Sequence, residues 1–375
     1  MFHTILTLSY LIPNIYLFFR IWQLFIRKEH RAYYVLIYLL LFLIYPAGNF
    51  LEGKYNPAAK ILSDTSNYLL PFFLYLFLCV LLIDLFLLLN LLFRVVPCDK
   101  IRSKTFMNRG LIAVIICSIA VVTAGIINFN TIRTTEYKIN VPRKSSELKE
   151  LKIAFVSDFH LHPGINPRFI ERFVNKITEA GPDLMLYGGD IVEGMRNDRE
   201  IEHFEELLGR ITSRYGSFAV PGNHDHYAGS DINNFFSRAG IVLLTDSIAV
   251  IDNSFIIAGR NDSRERDRKS AEQITSGLPD SLPIIMLDHR PSETEQISRT
   301  RTDVAFSGHT HHGQLFPINL ITRKVYELSY GYMKKGNTHF FVSSGIRLWG
   351  PPVRTVGKSE IIIVNCRFQQ NTASG

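Results

Sequence analysis

Leu151-Lys152-Ile153-Ala154-Phe155-Val156-Ser157-Asp158-Phe159-His160 is the stretch from which the rest of the chain is read. Its first six residues form an apolar run broken only by Lys152, the pattern of a buried strand. The last four turn polar with no glycine or proline between, so this strand delivers a carboxylate and an imidazole at its carboxyl end. The same arrangement recurs downstream. Leu184–Tyr187 runs into Gly188-Gly189-Asp190, and Ser217–Val220 into Pro221-Gly222-Asn223-His224-Asp225. Strands at about 283–287 and 303–306 precede Asp288-His289 and Gly308-His309-Thr310-His311. Helical spacing at 167–180 (Phe169, Ile170, Phe173, Ile177) stops before Gly181-Pro182, and 199–214 reads as a second helix. Further short strands are predicted at about 137–141, 241–245, 247–251, 254–258, 339–343 and 359–364. Strands alternating with helices, followed by a strand-rich half, predict a layered α/β sandwich. The polar end of the chain, 368–375, is expected to be disordered.

In such a fold the loops at strand carboxyl ends converge, so residues distant in sequence can meet. Asp158, His160, Asp190, Asn223, His224, His289, His309 and His311 all follow predicted strands. Carboxylate, imidazole and amide oxygen together suit Mn, Fe or Zn better than calcium, which prefers oxygen alone. Two ligand groups sharing a carboxylate would hold two divalent ions roughly 3.5–4 Å apart. Such a pair generates hydroxide at neutral pH and clamps a phosphoryl group for in-line displacement. Singly these motifs are weak, because Asp-x-His and Gly-Asp occur by chance. Lone histidines such as His203 and His339 are read as surface or packing residues.

Residues 1–130 have a different texture. Apolar runs lie at about 5–26, 32–51, 68–93 and 110–129, each near or above the length that crosses a bilayer. Four transmembrane helices are therefore expected ahead of a domain at 132–367. The first run is interrupted by Pro13, Asn14 and Arg20. It is read as an uncleaved span, because no basic segment precedes it and no small-residue cleavage pattern follows. Connections rich in Arg27, Lys28 and Arg31, and in Arg94, Lys100, Arg102, Lys104 and Arg109, are placed in the cytoplasm; the second, 52–67, balances Lys54 and Lys60 against Glu52 and Asp64. Four spans then put both termini and everything beyond residue 130 outside, although Arg133, Lys138, Arg143 and Lys144 after the last span weigh against this. Arg20 and Asp84, inside apolar runs, are expected to snorkel or to pair with each other.

Of the 375 residues, 1–130 carry 11 Lys/Arg and 5 Asp/Glu, while the remainder carries 30 and 29. The net charge of +7 thus resides almost wholly in the membrane region, which excludes a basic nucleic-acid-binding domain as its source. Nor does the composition fit a disordered chain, a collagen or a disulfide scaffold. Cys79, Cys98, Cys117 and Cys366 show no paired spacing, and only Cys366 lies beyond the apolar region.

The ordered set Ser157-Asp158-Phe159-His160, Gly188-Gly189-Asp190, Gly222-Asn223-His224-Asp225, Asp288-His289 and Gly308-His309-Thr310-His311-His312-Gly313-Gln314 resembles the calcineurin-like metallophosphoesterase superfamily, in its membrane-associated bacterial branch. The resemblance covers about residues 132–367. It implies a four-layer α-β-β-α sandwich, with Asp158, His160 and His311 on one metal, Asn223, His289 and His309 on the other, and Asp190 bridging both. His224 would donate a proton to the leaving group or stabilise the transition state, and Asp225 would orient it or cap a turn. His312 departs from the glycine usual in this branch, and would strain the loop, narrow the substrate mouth or contact phosphate. His162 and His226, beside the motifs, are read as substrate-side or solvent-exposed.

Two segments outside the motifs stand out. The charge run Arg260–Lys269 is read first as a solvated loop, with a phosphate- or headgroup-binding arginine as the sharper alternative. The apolar loop Gly345–Pro352, containing Trp349, lines the groove or touches the bilayer. The expected function is a membrane-anchored dinuclear phosphoesterase in a bacterial envelope. Its partners are the lipid bilayer and a phosphorylated small-molecule or lipid-linked substrate, not nucleic acid. The resemblance also admits a cytoplasm-facing pyrophosphatase acting on UDP-diacylglucosamine in lipid A synthesis. A reading of another class is a scaffold or transporter with a vestigial phosphoesterase domain.

Overall fold

The computed structural model describes residues 2–51, 57–142, 148–162, 164–193, 199–226 and 232–369. Glu52, Lys54, Arg143, Lys144 and the tail beyond residue 369 lie outside the described residues. Two compact units emerge: residues 1–127 with 350–355, and residues 128–349 with 356–375.

The first unit is helical, with α1 (Phe2–Phe25), α2 (Arg31–Leu51), α3 (Pro57–Phe93), the short α4 (Cys98–Ile101) and α5 (Lys104–Asn130). Among the described residues three helices, not the expected four, are long and apolar enough to cross a membrane: Lys28–Leu51, Pro57–Phe93 and Lys104–Asn130. The first predicted span does form a helix, α1. However, Pro13, Asn14, Arg20 and Gln23 interrupt its apolar sequence, and Asn14 and Arg20 find partners within the bundle. Tyr38 donates to the Asn14 carbonyl at 2.8 Å, and Asn14 donates to the Tyr10 carbonyl at 2.8 Å. Arg20 does pair with Asp84, its Nε donating to Oδ2 at 2.9 Å, and the Tyr16 hydroxyl donates to the same carboxylate. The third span begins at Pro57, so residues 57–67 of the predicted connection are helix, with Lys60 and Asp64 one turn apart at 3.4 Å. Tyr10, Leu17, Tyr38, Phe73, Leu76 and Val80 form the unit's core, while Leu36, Ile37, Leu40, Leu82 and Leu92 point outward, as a lipid solvent requires.

The second unit is built on two six-stranded sheets. Its elements are β1 (Ile132–Pro142), β2 (Glu150–Val156), α6 (Pro167–Ala180), β3 (Leu184–Tyr187), α7 (Arg199–Gly209), β4 (Ser217–Ala219), α8 (Ile232–Arg238), β5 (Ile241–Leu243), β6 (Ser247–Ile251) and β7 (Phe255–Gly259). There follow α9 (Ala271–Thr275), β8 (Ile284–Leu287), α10 (Thr294–Ser298), β9 (Val304–Ser307), α11 (Ile318–Val325), β10 (Gly331–Lys335), β11 (Thr338–Val342) and β12 (Ser359–Gln369). One sheet has the order β1-β12-β2-β3-β4-β5 and the other β10-β11-β9-β8-β7-β6. The predicted disordered end is corrected at its start, since β12 continues through Phe368 to Gln369, paired with β1.

Phe155, Leu186, Phe218, Ile257, Leu287, Phe306 and Phe341 fill the space between the sheets. Each such side chain contributes roughly 1.5–3 kcal/mol when fully buried. The outer faces are covered by α6, α7 and α8 on one sheet and by α9 and α10 on the other. Helix α6 shows why these elements form where they do. Asn166 accepts the Arg168 N–H at its start, Pro167 occupies its first turn, and Gly181 ends it at φ 54°. Strands β2, β3 and β4 run parallel, as do β8 and β9, so each set sends its carboxyl ends to one edge of its sheet.

Candidate metal centre

Each predicted ligand lies just past a carboxyl end of these strands. Asp158 and His160 follow β2, Asp190 follows β3, Asn223 and His224 follow β4, His289 follows β8, and His309 and His311 follow β9. The loops are tied by their own backbone. The Asp158 and His160 N–H groups donate to the Gly189 and Asp190 carbonyls at 2.9 and 3.0 Å, and Gly308 donates to His289 at 2.9 Å. Five of these residues hold left-handed backbone: Asp158 (φ 58°), His160 (48°), Asp190 (53°), His309 (70°) and His311 (46°). Such conformations cost of order 1–3 kcal/mol each and persist where packing over-determines them, characteristically at functional sites. Two glycines permit the close approach. A Cβ on Gly222 would lie 2.3 Å from Asp190 Oδ1, and one on Gly308 2.4 Å from Asp158 Oδ2.

The side chains converge in two groups, Asp158–His160–His311 and Asp190–His289–His309, with ligand atoms in each within 4.8 Å of one another. A third, overlapping group is His160–Asp190–His224. His160 Nε2 is 3.3 Å from His311 Nε2 and 4.0 Å from Asp190 Oδ2, and His289 Nε2 is 3.2 Å from Asp190 Oδ2. His289 Nδ1 lies 2.7 Å from the Gly188 carbonyl, which fixes Nδ1 as the donor and turns Nε2 toward Asp190. The Asn223 side-chain oxygen is buried and lacks a hydrogen-bond partner.

The electrostatics describe a pocket that favours cations. Burial alone would raise Asp190, but the charges of His289 and His160 hold its carboxyl well below the usual range. Burial opposes charge on His289, yet Asp190 pushes it up to about 10. His309 is pushed down to about 3 by burial and by the positive charges of His289 and Arg290. Buried carboxylates facing imidazoles, with an orphaned amide oxygen beside them, fit divalent ions with mixed oxygen and nitrogen shells.

One residue escaped the sequence reading. Glu193 lies three residues past Asp190, with Oε1 2.9 Å from His224 Nδ1 and Oε2 3.3 Å from His160 Nδ1. Burial would raise it, but its bonds to both imidazoles hold it down to about 2. The Gly188-Gly189-Asp190 motif did not flag it, since a glutamate after a short apolar pair carries no signal of its own.

Asp225, expected either to orient His224 or to cap a turn, meets backbone N–H groups as a cap does. Its carboxylate accepts the N–H groups of Ile191, Val192 and Gly222 at 2.9, 2.8 and 2.7 Å, so it joins two loops and acts through the backbone. Burial and the Asp190 charge push it up to about 7. His312 does take up left-handed backbone (φ 51°), and its buried ring packs 4.9 Å from Tyr330 with Nδ1 3.3 Å from the Ser329 hydroxyl. His162 and His226 are exposed, and His226 sits 3.4 Å from Glu265. The Arg260–Lys269 run is not a uniformly solvated loop. Arg260 and Arg268 turn inward onto Asp288, at 2.7 and 2.5 Å. Trp349 lies over the site, its ring 5.8 Å from that of His224.

Residues 151–313 match the family model of the calcineurin-like phosphoesterases. An uncharacterised metallophosphoesterase of Helicobacter pylori is 32% identical over 57% of this chain and 59% of its own length. One from Campylobacter jejuni is 28% identical over 68% of this chain and 69% of its own. A transmembrane protein with a metallophosphoesterase domain from Danio rerio is 28% identical over 70% of this chain and 63% of its own. The chain thus spans 59% of the Helicobacter relative and 63% of the Danio relative.

Proposed function

We propose, from the premise that residues 151–313 carry a calcineurin-like metallophosphoesterase domain behind apolar helices, that the chain is a membrane-anchored phosphoesterase working with two divalent ions. The observation that carries this is the pair of ligand groups meeting around Asp190. Asp158, His160 and His311 would hold one ion and Asn223, His289 and His309 the other, with Asp190 between them. Mn, Fe or Zn suits these donors. When bound, such ions supply Lewis-acid charge for the phosphoryl oxygens and activate water at neutral pH. His224, when protonated on both nitrogens, would donate its Nε2 proton to the leaving oxygen, while Glu193 accepts from Nδ1, stabilises the imidazolium and orients the ring. Asp225 holds the loop that presents Asp190.

The substrate is an envelope phosphate or a lipid-linked one, met by a domain that the apolar helices tether to the bilayer. With three spanning helices, a cytoplasmic basic segment between α3 and α5 would put residues beyond 130 outside, the side that the loop charges favour. Removing α1 from the span count changes the side of the amino terminus but not of the domain. Multiple apolar helices and bacterial relatives support a membrane-associated bacterial protein.

Asp190→Asn removes the shared charge, so it is expected to lose both ions and to reduce phosphoester hydrolysis to background. An Asp190→Asn chain with wild-type metal content and rate would overturn the assignment.

A further inference from the structure

Helix α11 wears its apolar side outward. Its sequence INLITRKV places Ile318, Ile321 and Val325 at i, i+3 and i+7, the spacing that ordinarily builds a stripe facing a core. Here the stripe faces away from the domain: Ile321 is 65% and Val325 67% exposed, and Ile318, Leu320 and the preceding Phe316 are exposed as well. The positions turned inward are polar, Asn319 buried and Thr322 half-buried. Single apolar residues scattered on a surface mean little, but a concentration on one short segment marks an interaction site.

The helix is seated on the loop that carries His309 and His311. Gly313, at φ 73°, comes so close that a Cβ there would lie 2.6 Å from the Asn319 backbone and 2.7 Å from Thr322 Oγ1. The Ile318 N–H donates to the Leu315 carbonyl at 2.8 Å, and the Tyr326 ring, just past the helix, lies 6.3 Å from that of His309. Charge indicates what covers the apolar face. Arg323 and Lys324, both exposed, sit in the last turn, and α11 carries no acidic residue. Aliphatic and basic side chains together suit the headgroup boundary of an anionic bilayer. The chain also brings that bilayer with it. Thr131 alone separates the apolar α5 from β1, so the domain meets the lipid surface at high effective concentration, and a short helix suffices.

We infer that α11, with Phe316, is an interfacial helix that docks on the surface of an anionic bilayer and brings the His309–His311 loop to phosphates held there. The docking stands on its own; the delivery to phosphates rests on the phosphoesterase reading.

The test uses the full chain in vesicles of phosphatidylcholine and phosphatidylglycerol in equal parts, with and without bromine on the acyl chains. Ile321→Trp adds fluorescence that is read as the difference from the wild-type chain, which carries Trp22 and Trp349. That emission should shift to shorter wavelength and lose roughly half or more of its intensity to the brominated lipids. Val325→Trp should do the same, whereas Val250→Trp, exposed on β6, should do neither. Arg323→Glu with Lys324→Glu, added to Ile321→Trp, should restore most of the lost emission. With phosphatidic acid in the vesicles, Ile321→Asp should lower kcat/KM on that lipid relative to p-nitrophenyl phosphate by roughly tenfold, mostly through KM. Val250→Asp should leave this ratio unchanged. Quenching of Ile321→Trp and Val325→Trp no greater than that of Val250→Trp overturns the docking. So does a shift without quenching, which assigns the face to a second copy of the chain or another protein. A quenched chain inactive on both esters would sink the phosphoesterase reading and leave the docking standing. A chain active on both, with a ratio that Ile321→Asp does not move, would overturn the delivery to lipid-held phosphates.

Discussion

At the scale of single residues, Glu193 matters most among those the motifs did not contain. It accepts from His224 and faces His160, coupling the proposed proton donor to a proposed ligand through one carboxylate. Glu193→Gln should retain metal and lower kcat by roughly 10–100-fold, the usual cost of removing an outer partner. The loss should be small for p-nitrophenyl esters, whose leaving group needs no proton, and large for alkyl esters. Equal losses on both would show that Glu193 serves only the metal shell. Asp158, His160, Asp190, Asn223, His289, His309 and His311 were legible because a strand ending in ligand-type side chains is uncommon and here recurs in order. Glu193 and the particular loops that Asp225 ties together were not, since both depend on which loops the sheets bring together.

At the scale of elements, the centre is a set of strand-end loops held at close approach. The Gly308 backbone passes so near Asp158 that a methyl group would meet its carboxylate. Gly308→Ala should therefore displace Asp158 and lower metal content, with the fold retained by far-UV circular dichroism. Asp225→Ala would leave three buried N–H groups without their acceptor, at about 1–3 kcal/mol each. Its melting temperature should fall by several degrees, whereas Asp225→Asn, which keeps one carbonyl oxygen, should fall less. Strands β2, β3, β8 and β9 and helix α6 were readable from periodicity and turn residues. Strand β10 escaped because Gly331–Lys335 pairs at the sheet edge with alternating exposure and few apolar residues. The Arg260–Lys269 run misled in part, because alternating charges look solvated until Asp288 supplies a buried partner.

At the scale of the whole molecule, the chain divides into a helical unit, residues 1–127 with 350–355, and a sandwich unit, residues 128–349 with 356–375. Apolar length was legible in the sequence. Whether α1 spans was not, because Asn14 and Arg20 find partners on α2 and α3 that no single helix reveals. A carboxyl-terminal reporter active only outside the cytoplasm should give signal. Signal from a cytoplasmic reporter alone would favour a cytoplasm-facing nucleotide–lipid pyrophosphatase. The most direct test of the central claim is metal stoichiometry in the purified full chain, with hydrolysis followed through chelation and re-addition. About two ions per chain are predicted, with activity lost on chelation and regained with Mn, Fe or Zn. A folded chain that holds no ion, or hydrolyses phosphoesters equally well after chelation, would contradict it.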